Sequence, residues 1–229
     1  MWPALDRPTL QGVQLAVPDL DAAVAFAEQV LRLERTAPDA ACFRLGAQWL
    51  AFVQHPSAAS AGNVATLHWR CSDLRRQRTL LTQLGFDSQG DSEPDDVTPL
   101  RVVAADTGAC ALQWVADNER KTNERPPSSS SPGITALVLH ARAPERVAAH
   151  WAQIFQVSVE RHAAGLPRLV LDGISLQFVF VEEGAGGVGR ITLALDDAGA
   201  VRERAIACGT TVDGDALTLP GLTIGLPGA

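Results

Sequence analysis

The stretch "GVQLAVPDLDAAVAFAEQVLRL", residues 12–33, combines a predicted strand and a predicted helix in one short segment. Residues 12–17 are mostly apolar and typical of a β-strand, and Pro18-Asp19 interrupts this run. From residue 20 onward, apolar side chains recur every three or four positions, which is typical of an amphipathic helix. The stretch therefore predicts a strand that leads directly into a helix.

The same strand–helix pattern occurs three more times in the chain. It begins at Thr66 with "TLHWRCSDLRRQRTLLTQLG", at Ala136 with "ALVLHARAPERVAAHWAQIF" and at Arg190 with "RITLALDDAGAVRERAIACG". Residues 12 and 66 are 54 positions apart, and so are residues 136 and 190. A fixed spacing between similar segments indicates four copies of one supersecondary unit.

The predicted helix ends of the second and fourth units also match. Asp73 and Asp197 occupy the same position before the helix, where a carboxylate can accept hydrogen bonds from exposed N–H groups. Gly85 and Gly209 occupy the same position after the helix, where a left-handed turn favours glycine. These shared caps strengthen the interpretation as a repeat.

Short runs typical of β-strands follow each helix. The second unit has "LRVVAA" and "CALQWV", and the third has "RLVLDG" and "SLQFVFV". Asp106-Thr107-Gly108 and Asp172-Gly173 are predicted hairpin turns between such runs. Each unit is therefore predicted to be βαβββ. Because one unit cannot cover its sheet, we expect pairs of units to form one curved sheet with the helices outside, which makes the fold class α+β.

Residues 117–133, "DNERKTNERPPSSSSPG", have the composition of a linker, rich in charge, Pro and Ser and without apolar periodicity. They divide the chain into a first predicted domain, residues 1–116, and a second, residues 134–229. The first contains the units that start near residues 12 and 66, and the second those that start near residues 136 and 190.

Composition limits the classes of function. Hydrophobic residues make up 46% of the chain and charged residues 20%, as in soluble globular proteins, and the net charge of −7 disfavours nucleic acid as a partner. No segment approaches the ~18 apolar residues of a membrane span, so we expect no membrane partner. The four cysteines are widely separated and form no CxxC pair, which is typical of buried thiols in a cytoplasmic protein.

Four βαβββ units in two pairs resemble the vicinal oxygen chelate superfamily in a tandem four-module form. This superfamily includes glyoxalase I, extradiol dioxygenases and the bleomycin- and fosfomycin-resistance proteins. The segment "LAVPDLDAAVAFAEQVLRL" resembles its opening strand and helix, "HARAPERVAAHWAQIF" the glyoxalase-like version, and "DTGACALQW" its closing hairpin. The resemblance implies two glyoxalase-like domains with curved mixed, mainly antiparallel sheets. It implies no particular reaction, since one fold can host unrelated chemistries.

The resemblance also implies where a metal would be bound. In such proteins the ligands, usually His and Glu, come from an early position of the first strand and a position of the last strand of each unit. In this chain the first-strand positions are Gly12, Thr66, Ala136 and Arg190, and the last-strand positions are Ala51, Gln113, Gln177 and Gly225. None is a histidine or a carboxylate, which zinc, iron, nickel and manganese sites commonly need. We therefore expect no metal and no other cofactor.

Polar residues share a face with these positions, because residues two apart on a strand point to the same side. They are Gln14, His68, Arg70 and Gln113 in the first pair of units, and His140, Gln177 and Arg190 in the second. Arginine can hold a carboxylate or phosphate, and a neutral histidine can act as a general base, so His68 is the candidate catalytic residue. Alternatively, His68 and His140 are hydrogen-bonded structural residues.

The tryptophans are expected mainly in the core, since large apolar side chains are usually buried. Trp49 and Trp114 lie in last-strand runs, Trp69 in a first strand and Trp151 on a helix. An aromatic pocket lined by some of them is the alternative interpretation.

Three functions stay open. In the first, the protein has lost the family metal and binds a small polar or aromatic molecule in a cup-shaped site, either as a monomer or as a homodimer. In the second, it is a glyoxalase- or dioxygenase-type enzyme that works without the usual metal or with unusual ligands such as His68 and Gln113. In the third, it is a degenerate scaffold that acts through protein contacts. The missing ligands favour the first.

Overall fold

The structure, a computed structural model, describes residues 8–55, 65–86, 98–117, 132–182 and 186–227. Two mixed β-sheets, one of seven strands and one of eight, account for most of its regular structure. None of the helices in these ranges is long and apolar enough to cross a membrane.

The first sheet is built from residues before 117. Its elements are, in chain order, β1 (Thr9–Val17), α1 (Leu20–Ala25, continued by the π-helical turn Phe26–Val30), β2 (Glu34–Arg35), β3 (Cys42–Leu45), β4 (Gln48–Gln54), β5 (Ala65–Cys71), α2 (Leu74–Gln83), β6 (Leu100–Val102), α3 (Ala104–Thr107) and β7 (Ala111–Ala116). The strand order is β2-β3-β4-β1-β5-β7-β6.

The second sheet is built from residues after 132. Its elements are β8 (Gly133–Ala141), α4 (Pro144–Phe155), β9 (Glu160–Arg161), β10 (Pro167–Leu171), β11 (Ile174–Phe180), β12 (Gly187–Ala194), α5 (Ala198–Ala207), β13 (Thr211–Asp213), β14 (Ala216–Leu219) and β15 (Leu222–Gly225). The strand order, β13-β14-β15-β12-β8-β11-β10-β9, has the same plan as the first sheet.

The strand register repeats with the 54-residue spacing of the sequence. In the first sheet, β1 and β5 run antiparallel and pair Gly12 with His68 and Gln14 with Thr66. A shift of 54 positions converts one of these pairs into the other. The pairs of residues 138 with 190 and 136 with 192 behave in the same way in the second sheet. Consecutive units therefore pair through their first strands, which confirms the predicted α+β fold.

Three of the four units show the whole βαβββ pattern. The second unit shows β5, α2, β6 and β7, and residues 87–97, between α2 and β6, lie outside the described residues. Most of the expected linker, residues 118–131, also lies outside them, so the division into two domains stays a prediction.

The predicted caps of the second and fourth units are confirmed. The carboxylates of Asp73 and Asp197 accept hydrogen bonds from backbone N–H groups in the first turns of α2 and α5, at 2.9 Å and 2.8 Å. Gly85 and Gly209 follow these helices with φ of +83° and +73°. At these angles an L side chain is strained, which explains the two glycines.

Both predicted turns connect antiparallel partner strands, but only one of them is a tight turn. Asp172-Gly173 joins β10 to β11 directly, and Gly173 has φ of +76°. The segment Asp106-Thr107-Gly108 instead ends a helical turn, α3, between β6 and β7. The hydroxyl of Thr107 holds this turn by donating to the carbonyl of Cys110 at 2.7 Å.

Helix α4 lies between the two sheets and joins their cores. The ring of Phe155 contacts Trp69 and Trp114 of the first sheet, with centroids 4.6 Å and 6.2 Å away. On the same helix, Trp151 contacts Phe178 of the second sheet at 5.5 Å. The buried apolar residues of both sheets form one cluster, so the faces turned away from it are the ones available for a ligand.

Candidate functional site

Each sheet has an inner face, which packs into the shared core, and an outer face, which points away from it. On β5, Leu67 and Trp69 are fully buried on the inner face. The alternating residues Thr66, His68 and Arg70 are only partly buried and lie on the outer face. This alternation follows from the two-residue period of a strand.

Five residues that face each other across neighbouring strands form a row on the outer face of the first sheet. From β4 to β6 they are Trp49, Gly12, His68, Gln113 and Arg101, and we call them the His68 row. At a strand spacing of about 4.8 Å, the row extends over roughly 19 Å. The structure thus places two of the predicted site residues, His68 and Gln113, directly opposite each other.

Trp49 occupies the space that a side chain at position 12 would need. A Cβ atom added to Gly12 would overlap the indole ring of Trp49. The same ring packs against the imidazole of His68, with centroids 4.6 Å apart and planes tilted by 57°. The glycine therefore allows an aromatic ring to lie flat across β1 and reach His68.

His68 lies in an unusual electrostatic environment. Its Nε2 atom is buried and has no hydrogen-bond partner among the described residues. Burial and, to a smaller extent, the positive charge of Arg101 lower the pKa of His68 to about 4. The imidazole is therefore neutral near pH 7 and offers one donor and one acceptor. Leaving a buried polar atom unpaired costs about 1–3 kcal/mol, so this nitrogen is suited to a hydrogen bond from a ligand.

The other two predicted residues of the first sheet lie on the same face but outside the row. Gln14 is opposite Thr66, and Arg70 is opposite Val115. Each lies two residues from the row along its strand, which is roughly 7 Å. The four residues predicted for the first cup therefore share one face, and only His68 and Gln113 are direct neighbours.

The outer face of the second sheet pairs its cations internally. Arg190 lies over Gly225, and its Nη2 donates to the carboxylate of Asp215 at 2.6 Å. Gln177 and Arg190 both lie opposite Val138, one on each side, and so belong to one row. Arg190 thus already has an anionic partner.

His140 is separated from this row. It lies opposite Val179 on one side and Gly187 on the other, two residues along β8 from the row of Gln177. Its ring covers Gly189, where a Cβ atom would overlap the imidazole. The structure therefore does not bring His140 into direct opposition with Gln177 or Arg190.

Solved structures share this arrangement of units. The chain superposes on the Mn(II)-bound glyoxalase from Novosphingobium aromaticivorans with a TM-score of 0.67 and 14% identity, over 97% of this chain and 82% of that one. For homoprotocatechuate 2,3-dioxygenase from Arthrobacter globiformis the TM-score is 0.66 at 13% identity, over 98% and 81%. For the 2,3-dioxygenase LapB from Pseudomonas sp. KL28 it is 0.63 at 13% identity, over 98% and 93%.

The chain has the vicinal oxygen chelate fold. No protein-family model matches the sequence, and a search of curated proteins gives no match. At these identities the likeness establishes the fold and leaves the reaction open.

The residues present do not fit the metal site implied by the vicinal oxygen chelate fold. The four last-strand positions are structurally equivalent, because each lies opposite the residue two places after the first-strand position. The opposing pairs are Gln14 with Ala51, His68 with Gln113, Val138 with Gln177 and Thr192 with Gly225. Among the described residues, no group of three or more His, Cys, Asp or Glu could hold a metal ion. The ring of Trp49 also fills the space of a ligand side chain at Gly12.

The sequence interpretation missed two members of the row and one partner outside it. For Trp49 the core is the main expectation and an aromatic pocket the alternative, and "QWLAFVQ" favours the alternative because it places Trp49 two residues before Ala51 and therefore on the same face. Arg101 alternates with the buried Leu100 and Val102, which also places it outside. Asp215 lies in a turn, and no periodicity could have paired it with Arg190.

Proposed function

We propose that this protein binds a small polar or aromatic molecule on the outer face of the first sheet, without the metal that the fold implies. The observation that carries the proposal is the buried Nε2 of His68, which packs beneath the ring of Trp49 and has no hydrogen-bond partner among the residues that the structure describes. A buried polar atom without a hydrogen bond destabilises the folded protein, and a ligand or a water molecule that bonds to it removes this cost.

The neighbours of His68 provide what a small-molecule site needs. Binding sites combine apolar or aromatic walls with a few convergent polar groups. Trp49 supplies a half-buried aromatic surface, and Gln113 supplies an amide directly opposite His68. The net charge of −7 supports a small ligand over nucleic acid.

The protonation state of His68 favours binding over proton transfer. A general base works best when its pKa is near the working pH. With a pKa of about 4, the imidazole of His68 is a weak base near pH 7 and acts mainly as a neutral hydrogen-bonding group. If His68 were the general base of a glyoxalase- or dioxygenase-type reaction, the bound substrate would have to raise its pKa.

The test compares two histidines on the two outer faces. A library of aromatic and polar fragments is screened by ligand-observed NMR against the wild type, His68→Ala and His140→Ala, each after EDTA treatment. We expect some fragments to bind the EDTA-treated wild type. Their affinity should be about tenfold or more weaker for His68→Ala and unchanged for His140→Ala. Binding that needs added metal, or that survives His68→Ala unchanged, would refute the proposal.

A further inference from the structure

The charged side chains on the strands of the first sheet from β4 to β6 are all positive. The strands β4, β1, β5 and β7 and the edge strand β6 contain no Asp or Glu. Beyond Trp49 the row continues with Arg44 on β3 and Glu34 on β2, which lie opposite each other. The strands from β4 to β6 contain two arginines, Arg70 and Arg101, in a protein whose net charge is −7. A local excess of positive charge in an acidic protein is complementary to an anion.

Arg101 is the cation placed to meet a ligand of the His68 row. It lies at one end of the row, opposite Gln113, and its side chain is exposed. It has no carboxylate partner within the part of the chain that the structure describes, and its charge reaches the imidazole of His68. Two strand spacings, roughly 10 Å, separate the backbones of His68 and Arg101, a distance that a long arginine side chain largely covers.

The opposite end of the row is aromatic. The indole of Trp49 is only partly buried, and its ring is held by its contacts with Gly12 and His68. A rigid aromatic surface packs well against a flat ring, whereas a guanidinium binds a carboxylate through two parallel hydrogen bonds. The row therefore presents an aromatic surface, a neutral donor–acceptor pair and a cation in that order.

We propose that the ligand of the His68 row is a planar aromatic carboxylate, with its ring toward Trp49 and His68 and its carboxylate toward Arg101. This inference rests on the proposed function, and it adds the chemical class of the ligand. Gln113, between His68 and Arg101, would lie beneath the bond that joins the ring to the carboxylate.

Three related probes separate charge from aromaticity. Benzoate is flat and anionic, benzamide is flat and neutral, and cyclohexanecarboxylate is anionic and not flat. Binding is followed by protein NMR for the wild type, Arg101→Gln and His68→Ala. We expect benzoate to bind about tenfold or more tightly than either of the others. We also expect Arg101→Gln to lower the benzoate affinity to that of benzamide, while benzamide binds as before. Arg101 is exposed, so its replacement leaves the fold intact.

The outcomes test this inference separately from the proposed function on which it rests. If benzamide and benzoate bind equally well and both depend on His68, the site stands and the carboxylate assignment is wrong. If cyclohexanecarboxylate binds as tightly as benzoate, the assignment of a planar ring to the ligand is wrong. If no probe shows binding that depends on His68, the aromatic carboxylate is refuted, and the fragment screen decides separately on the site.

Discussion

The two sheets share one plan and one register, yet the charged side chains of their outer faces are paired to different extents, although the Nε atom of Arg168 in the second sheet is also buried without a partner among the described residues. In the first sheet, the Nε2 atom of His68 is buried without a partner among the described residues. In the second, the guanidinium of Arg190 is held by Asp215, and that of Arg168 by Glu160, each at 2.6 Å. Two sheets of equal topology can therefore present different groups to a ligand. A face whose arginines are neutralised by carboxylates has less to offer an anion than one on which Arg101 has no carboxylate partner among the described residues.

The glycines at the implied metal positions sharpen the same comparison. Gly12 in the first sheet is covered by Trp49, and Gly225 in the second is covered by Arg190. In each sheet a neighbouring side chain fills the space that a ligand side chain would take. The first sheet gains an aromatic surface in this way, whereas the second gains an ion pair.

The largest effect is expected in the core that both sheets share. Trp151→Ala removes a fully buried ring between the sheets and should lower the free energy of unfolding by about 3–5 kcal/mol. Ile206→Ala, at a side chain 65% exposed, is the control and should change it by less than ~0.5 kcal/mol. Chemical denaturation followed by circular dichroism measures both. If only one half of the chain lost stability in Trp151→Ala, the sheets could not be compared as parts of one body.

The next effect concerns the two covered glycines. Gly12→Ala forces the ring of Trp49 away from β1 and should cost about 1–3 kcal/mol of stability. Gly225→Ala meets the flexible end of Arg190 and should cost less, under ~1 kcal/mol. Thermal unfolding of the two variants side by side gives the order. Equal costs would show that Trp49 is not fixed over Gly12.

A smaller effect, with a characteristic pH dependence, is expected at His68. The pKa of His68 in the folded protein lies below its ordinary value, so the unfolded chain binds the extra proton first. The contribution of His68 to stability should therefore be fully present above pH ~6.5 and decrease as the pH falls toward ~4. His68→Phe should lack this part of the pH dependence and, at pH 7, be as stable as the wild type because no unpaired nitrogen is buried. Urea midpoints between pH 4 and 7 provide the measurement. Parallel curves for the two proteins would contradict the assigned environment.

The smallest effect is expected at the ion pair of the second sheet. Asp215→Asn releases Arg190, and because the pair is partly exposed, stability should change by less than ~1 kcal/mol. The outer face of the second sheet should then gain a weak affinity for benzoate, seen as shifts of resonances near Arg190. No gain would mean that neutralised charge is not what separates the two faces.

The sequence predicted the fold well because its signals are local. The 54-residue spacing, the cap residues Asp73 and Asp197 and the alternation along β5 each depend on short segments, and all appear in the structure. The candidate site was predicted only in part, since a shared face follows from alternation whereas direct opposition depends on register. Gln113 meets His68 because β7 and β5 run in parallel, which single segments do not specify. The position of Trp49 depends on the empty space at Gly12, a contact between two strands.

The most direct test of the central claim observes both outer faces at once. The chain contains five histidines, and their Cε1–H resonances can be assigned by single replacements. A fragment that binds the EDTA-treated protein is titrated while these resonances are recorded. The account predicts that His68 shifts and that His140 does not. A shift at His140 alone, or a shift of His68 that occurs only when a divalent metal is added, would contradict it.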